Sequence, residues 1–151
     1  MATITRYRRS PWPEIALIAV LGLTGLLIPS TIQTASMKHQ KPTLYQLATA
    51  VAARQGLDPK LVRAVVTVES SWRPGAVSRK DAIGLLQVHH PTWGHKWTRR
   101  QLKDPEQNLL AGTTILRKYL KESGTLKEAL RKYSGGEPEY YSKVKKAMKG
   151  A

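Results

Sequence analysis

The sequence predicts an all-α domain, on three observations. Apolar residues from Leu44 to Leu120 recur at helical rather than alternating spacing, Asp-Pro or Thr-x-x-Glu signals open the later stretches, and glycine or proline closes them. The first helix begins at Thr43, carries Leu44, Leu47, Ala48, Val51 and Ala52 on one face, and stops at Gly56. Asp58-Pro59, an N-cap followed by proline at the first helical position, opens a second, with Leu61, Val62, Val65, Val66 and Glu69 in one stripe and Pro74-Gly75 as its stop. Asp104-Pro105 opens a third, whose apolar face runs through Leu109, Leu110, Thr113, Leu116 and Leu120 to Gly124. Thr125 with Glu128 reads as a capping box for a fourth helix to Tyr133. Gly135-Gly136 then breaks the chain before a short basic helix from about Glu139 to Met148. No period-2 stretch interrupts this pattern, so no strand is expected.

A chain of 151 residues has room for about one domain, and 41% hydrophobic residues supply one modest core. Twenty-five Lys and Arg against ten Asp and Glu give a net charge of +15, which points to a polyanionic partner: nucleic acid, anionic lipid or bacterial cell wall. Without cysteine there is neither a disulfide framework nor a thiolate nucleophile or metal site.

Residues 1–36 differ from the rest. Arg6, Arg8 and Arg9 precede an apolar run from Ile15 to Ile28, followed by Pro29-Ser30, which is the layout of an export signal. Fourteen residues fall short of the roughly 20 that cross a bilayer comfortably. Thr34-Ala35-Ser36 is the best small-residue cleavage site, and it leaves two outcomes open, a removed signal peptide or a retained signal-anchor holding residues 15–28 in the inner membrane. Either way the arginines stay cytoplasmic, so the remainder is expected outside that membrane, in the periplasm. Residues 37–42 read as a linker and 43–151 as the domain.

Within the domain Glu69 is the anomaly. A carboxylate on an apolar stripe at a helix C-terminus should have a raised pKa, because desolvation and the negative helix pole both disfavour its charge. Periodicity alone equally allows a boundary glutamate whose head reaches solvent past Ser70 and Ser71.

From Val68 the chain reads VESSWRPGAVSRKDAIGLLQVHHPTW, then DPEQNLLAGTTIL, then ALRKYSGG. These segments, in this order, resemble the soluble lytic transglycosylase family, lysozyme-like enzymes that cleave peptidoglycan, over about Thr43 to Tyr141. The first segment, with Glu-Ser, Trp-x-Pro-x-Ala-x-Ser and Ala-x-Gly-Leu-x-Gln, is the specific one. Asp-Pro-x-x-Asn-x-x-x-Gly alone is a helix start and Tyr-Ser-Gly-Gly alone a turn. The resemblance implies an α-rich lysozyme-like fold and makes Glu69 the single catalytic acid/base. It places Ser70, Ser78 and Gln87 at substrate contacts, Tyr133 on the tyrosine that approaches the catalytic carboxyl, and makes Gly84 the close-packing point that lets the backbone of residues 85–87 approach the sugar. Three positions depart from the family pattern: Asp81 stands for glycine, Leu86 for methionine and Ser134 for asparagine. Leu86 conserves volume. Asp81 tolerates a left-handed backbone and adds a carboxylate near the site.

In the chemistry so implied, neutral Glu69 protonates the oxygen between N-acetylmuramic acid and N-acetylglucosamine, then takes the proton of the muramoyl C6 hydroxyl, which closes a 1,6-anhydro ring. One carboxyl suffices, where hydrolysis through water ordinarily needs two. No cofactor is required, and His89, His90 and His95, in a Pro/Gly-broken stretch without acidic companions at ligand spacing, are not read as metal ligands. Trp72, Trp93 and Trp97 are candidates both for sugar stacking and for the core. The rival enzyme is a hydrolase of goose-type-lysozyme character in which Asp81 positions a water; the rival outside enzymes is a non-catalytic cationic wall-binding protein. Export and the lack of a recognition helix or stacking platform argue against nucleic acid. The brevity of the chain and its weak apolar run tilt the reading towards a bacteriophage virion or a secretion or conjugation apparatus.

Overall fold

The caps written in the sequence start the helices of the structure, a computed structural model that describes residues 41–150. The expected signal or signal-anchor segment and residues 37–40 of the expected linker lie outside the described residues. Helix α1 spans Leu44–Arg54, and its Thr43 N-cap and Gln46 satisfy one another's backbone N–H groups in a capping box. Helix α2 spans Pro59–Ser70, capped by Asp58 through the Lys60 N–H at 2.8 Å. It ends four residues before Pro74, because Ser71 and Trp72 turn left-handed (φ 49° and 64°).

Two strands of two residues each follow, β1 at Ala82–Ile83 and β2 at Val88–His89, paired antiparallel with Ile83 opposite Val88. The expectation of no strand is corrected to this extent: a hairpin so short has no room for a period-2 pattern. Helices α3 (His90–Trp93) and α4 (Arg99–Lys103) follow, then α5 (Pro105–Glu122), α6 (Leu126–Tyr133) and α7 (Tyr140–Lys149). In α6 only half of the expected capping box forms. Thr125 accepts from the Glu128 N–H, while the Glu128 carboxylate reaches the Gly124 N–H.

Helix α2 is the central element. Every residue from Leu61 to Val66 is buried, Arg63 and Ala64 included, because α1 and α7 pack on α2 and its apolar residues share the main core with other elements. The main core joins α1, α2, α5, α6 and α7 with Leu85 and Leu86 from the loop after β1. A smaller one gathers Ile83, Val88, Leu102, Ala111 and Ile115 around the hairpin. The side chain of Tyr133 packs against both, so the end of α6 sits at the seam between them. Among the described residues no helix is long and apolar enough to cross a membrane.

Candidate active site

A cleft of about 640 Å³ is lined by Glu69, Ser78, Gln87, His89, Trp93 and Tyr133, with Glu137 at its rim. Glu69 reaches it because Val62, Val65, Val66 and Glu69 share one face of α2, and the first three are fully buried. Burial pushes the Glu69 carboxyl from 4.5 up to about 7; the hydrogen bond from Tyr140 opposes this, and the negative charge of Glu137 adds to it. The group is therefore poised to give and take a proton near neutral pH.

Tyr133 lies near that carboxyl, whose charge adds to burial in raising the phenol's pKa, but a different tyrosine hydrogen-bonds to it. Tyr140 Oη donates to Glu69 Oε1 at 2.5 Å, whereas Tyr133 Oη donates to the Leu86 carbonyl at 2.8 Å. The two rings stack with centroids 6.4 Å apart, so Tyr133 backs Tyr140 and holds the loop after β1 rather than the acid. Tyr140 and Val144, both buried and one turn apart, mark the inner face of α7; the adjacent Tyr141 made this choice ambiguous in the sequence.

Ser70, in contrast, lies outside the cleft. It is 1% exposed, and its hydroxyl donates to the Val66 carbonyl one turn back. Ser78 lines the cleft and holds the turn that leads into β1, its hydroxyl accepting from the Ala82 N–H at 3.0 Å. Gln87 also lines the cleft; its amide donates to the Gly84 and Ala76 carbonyls at 2.9 and 3.2 Å, and its backbone is left-handed at φ 43°.

Gly84 makes a close approach, but to protein. At φ 80°, a Cβ there would lie 2.2 Å from the Asn108 side-chain nitrogen and 2.7 Å from the Leu102 carbonyl oxygen. Asn108 is buried and ties β1, the loop after it and α4 together. Its Oδ1 accepts from the Leu86 N–H at 2.8 Å, and its Nδ2 donates to the Ile83 and Leu102 carbonyls at 2.7 and 2.8 Å. One turn on, Gly112 has no side chain to strike Leu86, which a Cβ would approach to 2.4 Å. The Asn-x-x-x-Gly of α5 is thus the anchor of the cleft wall as well as part of a helix start.

Asp81 adopts the left-handed backbone a glycine position permits (φ 60°). Its two carboxylate oxygens take Arg99 in a fork at 2.5 Å each, with His90 Nδ1 3.5 Å from Oδ2, and Asp81 is not among the cleft-lining residues. Ser134 lines the cleft, donates to the Arg131 carbonyl and accepts from the Glu137 N–H, each at 3.1 Å, so it fixes the turn that presents Glu137. That carboxylate, paired with Lys143, carried no sequence signal beyond its place after Gly135-Gly136. Of the tryptophans, Trp93 faces the cleft and Trp97 tilts against it at 6.2 Å; Trp72 stacks on Tyr45 away from it. Among the described residues the non-glycine positions with positive φ, Ser71, Trp72, Asp81 and Gln87, all fall between α2 and β2, and Gln87 alone of the four lines the cleft.

These contacts give a signed pH prediction. Tyr140→Phe removes the bond that lowers the Glu69 pKa, so the alkaline limb of the pH–rate profile should move up; Glu137→Gln removes the charge that raises it, so that limb should move down. Rates measured from about pH 5 to 9 check both, and shifts in the same direction would contradict this account of the carboxyl.

A family model described as the transglycosylase SLT domain matches residues 46–151. Among curated proteins, the chain is 35% identical over 107 residues to a protein named membrane-bound lytic murein transglycosylase C from Pectobacterium atrosepticum, covering 64% of this chain and 29% of that protein. It is 34% identical over 107 residues to the protein of that name from Edwardsiella ictaluri, covering 64% and 28% respectively. With the one from Photorhabdus laumondii it shares 33% identity over 113 residues, covering 68% and 30%. The aligned part spans less than a third of the length of these relatives.

Proposed function

The chain belongs to the transglycosylase SLT domain family, and from that premise we propose that it is a lytic transglycosylase that cuts peptidoglycan glycan strands between N-acetylmuramic acid and N-acetylglucosamine, with Glu69 as its only proton shuttle. The observation that carries the reading is a carboxyl held near pKa 7 inside a cleft that has room for sugar rings.

The steps follow from that poise. Protonated Glu69 gives its proton to the glycosidic oxygen as the bond from that oxygen to the muramoyl C1 breaks, and the N-acetylglucosamine hydroxyl leaves. The Glu69 carboxylate then accepts the proton of the muramoyl C6 hydroxyl, whose oxygen bonds to C1 and closes the 1,6-anhydro ring. Glu69 ends protonated, as it began, and no water is consumed. Tyr140 restrains one oxygen of the carboxyl, leaving the other to face the substrate. The carboxylates of Glu137 and Asp81 are both engaged with cations, which suits a mechanism that needs no second carboxylate. Ser78, Gln87 and Trp93 contact the sugars, Gln87 through its side-chain carbonyl. Residues 1–36, as a signal or signal-anchor, would deliver the domain to the periplasm, where the polymer lies.

The competing hydrolase reading needs Asp81 to position water, and its fork with Arg99 speaks against that. Asp81→Gly should leave most of the rate on purified sacculi and the anhydro-muropeptide product, because the substrate hydroxyl supplies the nucleophile. Loss of about 10²- to 10⁴-fold in rate, with reducing-end products from the parent enzyme, would instead identify Asp81 as the base of a hydrolase.

A further inference from the structure

A second cavity, of about 500 Å³, lies between α1, α2 and α7 and shares no lining residue with the catalytic cleft. Tyr45, Arg63, Trp72 and Lys146 line it, with Lys143 at its border towards Glu137. Arg63 is the anomaly there. It is 8% exposed, donates to Thr49 Oγ1 at 3.2 Å, and keeps a buried Nε with no hydrogen-bond partner. Among the described residues no carboxylate pairs with it, so the charge is held by the Tyr45 ring, 4.5 Å from the guanidinium carbon. A guanidinium buried without an anion is costly unless something supplies one.

The aromatic groups are placed as deliberately. Tyr45 is 49% exposed although it is a large ring on the first turn of α1, and it stacks on Trp72 at 5.7 Å and 26°. The Trp72 indole N–H is fixed on Thr67 Oγ1 at 3.0 Å. A rigid, half-open aromatic pair beside two or three cations suits a ligand that combines a ring face with a carboxylate.

We propose that this cavity is a non-catalytic binding site for a carboxylate-bearing saccharide, namely a stretch of the glycan polymer lying outside the cleft. The inference rests on the proposed substrate, in which the pyranose rings of the glycan carry the carboxylates of the attached stem peptides, or a free lactyl carboxylate where the stem has been removed. An anionic lipid headgroup offers the charge without the ring, and leaves the Tyr45–Trp72 pair without a role.

The test separates binding from turnover. The Glu69→Gln protein, with and without Tyr45→Ala and Lys146→Glu, is titrated against purified sacculi and against phosphatidylglycerol vesicles. Both added changes are at exposed side chains, and a circular-dichroism melt checks that the fold persists. Separately, kcat/KM on a soluble GlcNAc–MurNAc tetrasaccharide is compared between the chain with native Glu69 and the same chain carrying Tyr45→Ala and Lys146→Glu. The expected result is a rise of about tenfold in the sacculus Kd, with tetrasaccharide kcat/KM within about twofold and vesicle binding little changed. An unchanged sacculus Kd, an equal loss on the tetrasaccharide, or a loss confined to the vesicles would each overturn the proposal. A native-Glu69 chain that leaves the tetrasaccharide uncut would instead sink the proposed activity, and the binding comparison would still stand.

Discussion

Glu69→Gln should lower the release of anhydro-muropeptides from sacculi by at least about 10²- to 10⁴-fold, the range expected when a general acid–base is lost, while binding to sacculi persists. Glutamine keeps the shape and accepts the Tyr140 hydrogen bond through its carbonyl, so the cleft is preserved and only proton exchange is removed. The loss should fall in kcat rather than KM, since the missing interaction belongs to the transition state. Turnover near that of the parent protein would refute the single-shuttle mechanism.

The largest stability effect is expected at Asn108. Asn108→Leu is close in volume but would leave the Leu86 N–H and the Ile83 and Leu102 carbonyls without their buried partner. Each unsatisfied group costs about 1–3 kcal/mol. Relaxation of the loop would recover part of that, so a net destabilisation of roughly 3–5 kcal/mol is expected, with a lower urea midpoint and a largely unchanged m-value. The variant should lose activity even where it stays folded, because Leu86 also receives Tyr133 and leads directly into Gln87. A urea midpoint equal to that of the parent protein would show that the anchor is dispensable.

Much of this architecture was legible in the chain. Asp58-Pro59, Asp104-Pro105 and Thr125 mark helix starts locally, and the stripe of α2 pointed to Glu69 as a carboxyl facing an apolar wall. What escaped was short or distant. Helices α3 and α4 have four and five residues, too few for an apolar period, although Thr98 and Gln101 do form a capping box that could have marked the second. The Tyr140–Glu69 contact joins residues 71 apart, and nothing local to α7 prefers Tyr140 to Tyr141. Gly84 was read as a close-packing point beneath the backbone of residues 85–87, but the partner it makes room for, Asn108, lies 24 positions further along the sequence. In both cases the deciding partner lies on another helix, where periodicity carries no information.

The burial that raises the Glu69 pKa also sets a thermodynamic cost. In the unfolded chain its carboxyl titrates near 4.5, in the folded one near 7. Below about pH 4.5 both states hold the proton and Glu69 imposes no ionisation penalty. As pH climbs from there to about 7 the unfolded chain releases its proton first, so folding stability drains away through that window and stays diminished above it. The neutral range in which the Glu69 carboxyl can exchange a proton is thus the range in which it weakens the fold, and a protein carrying Glu69→Gln would be spared that loss.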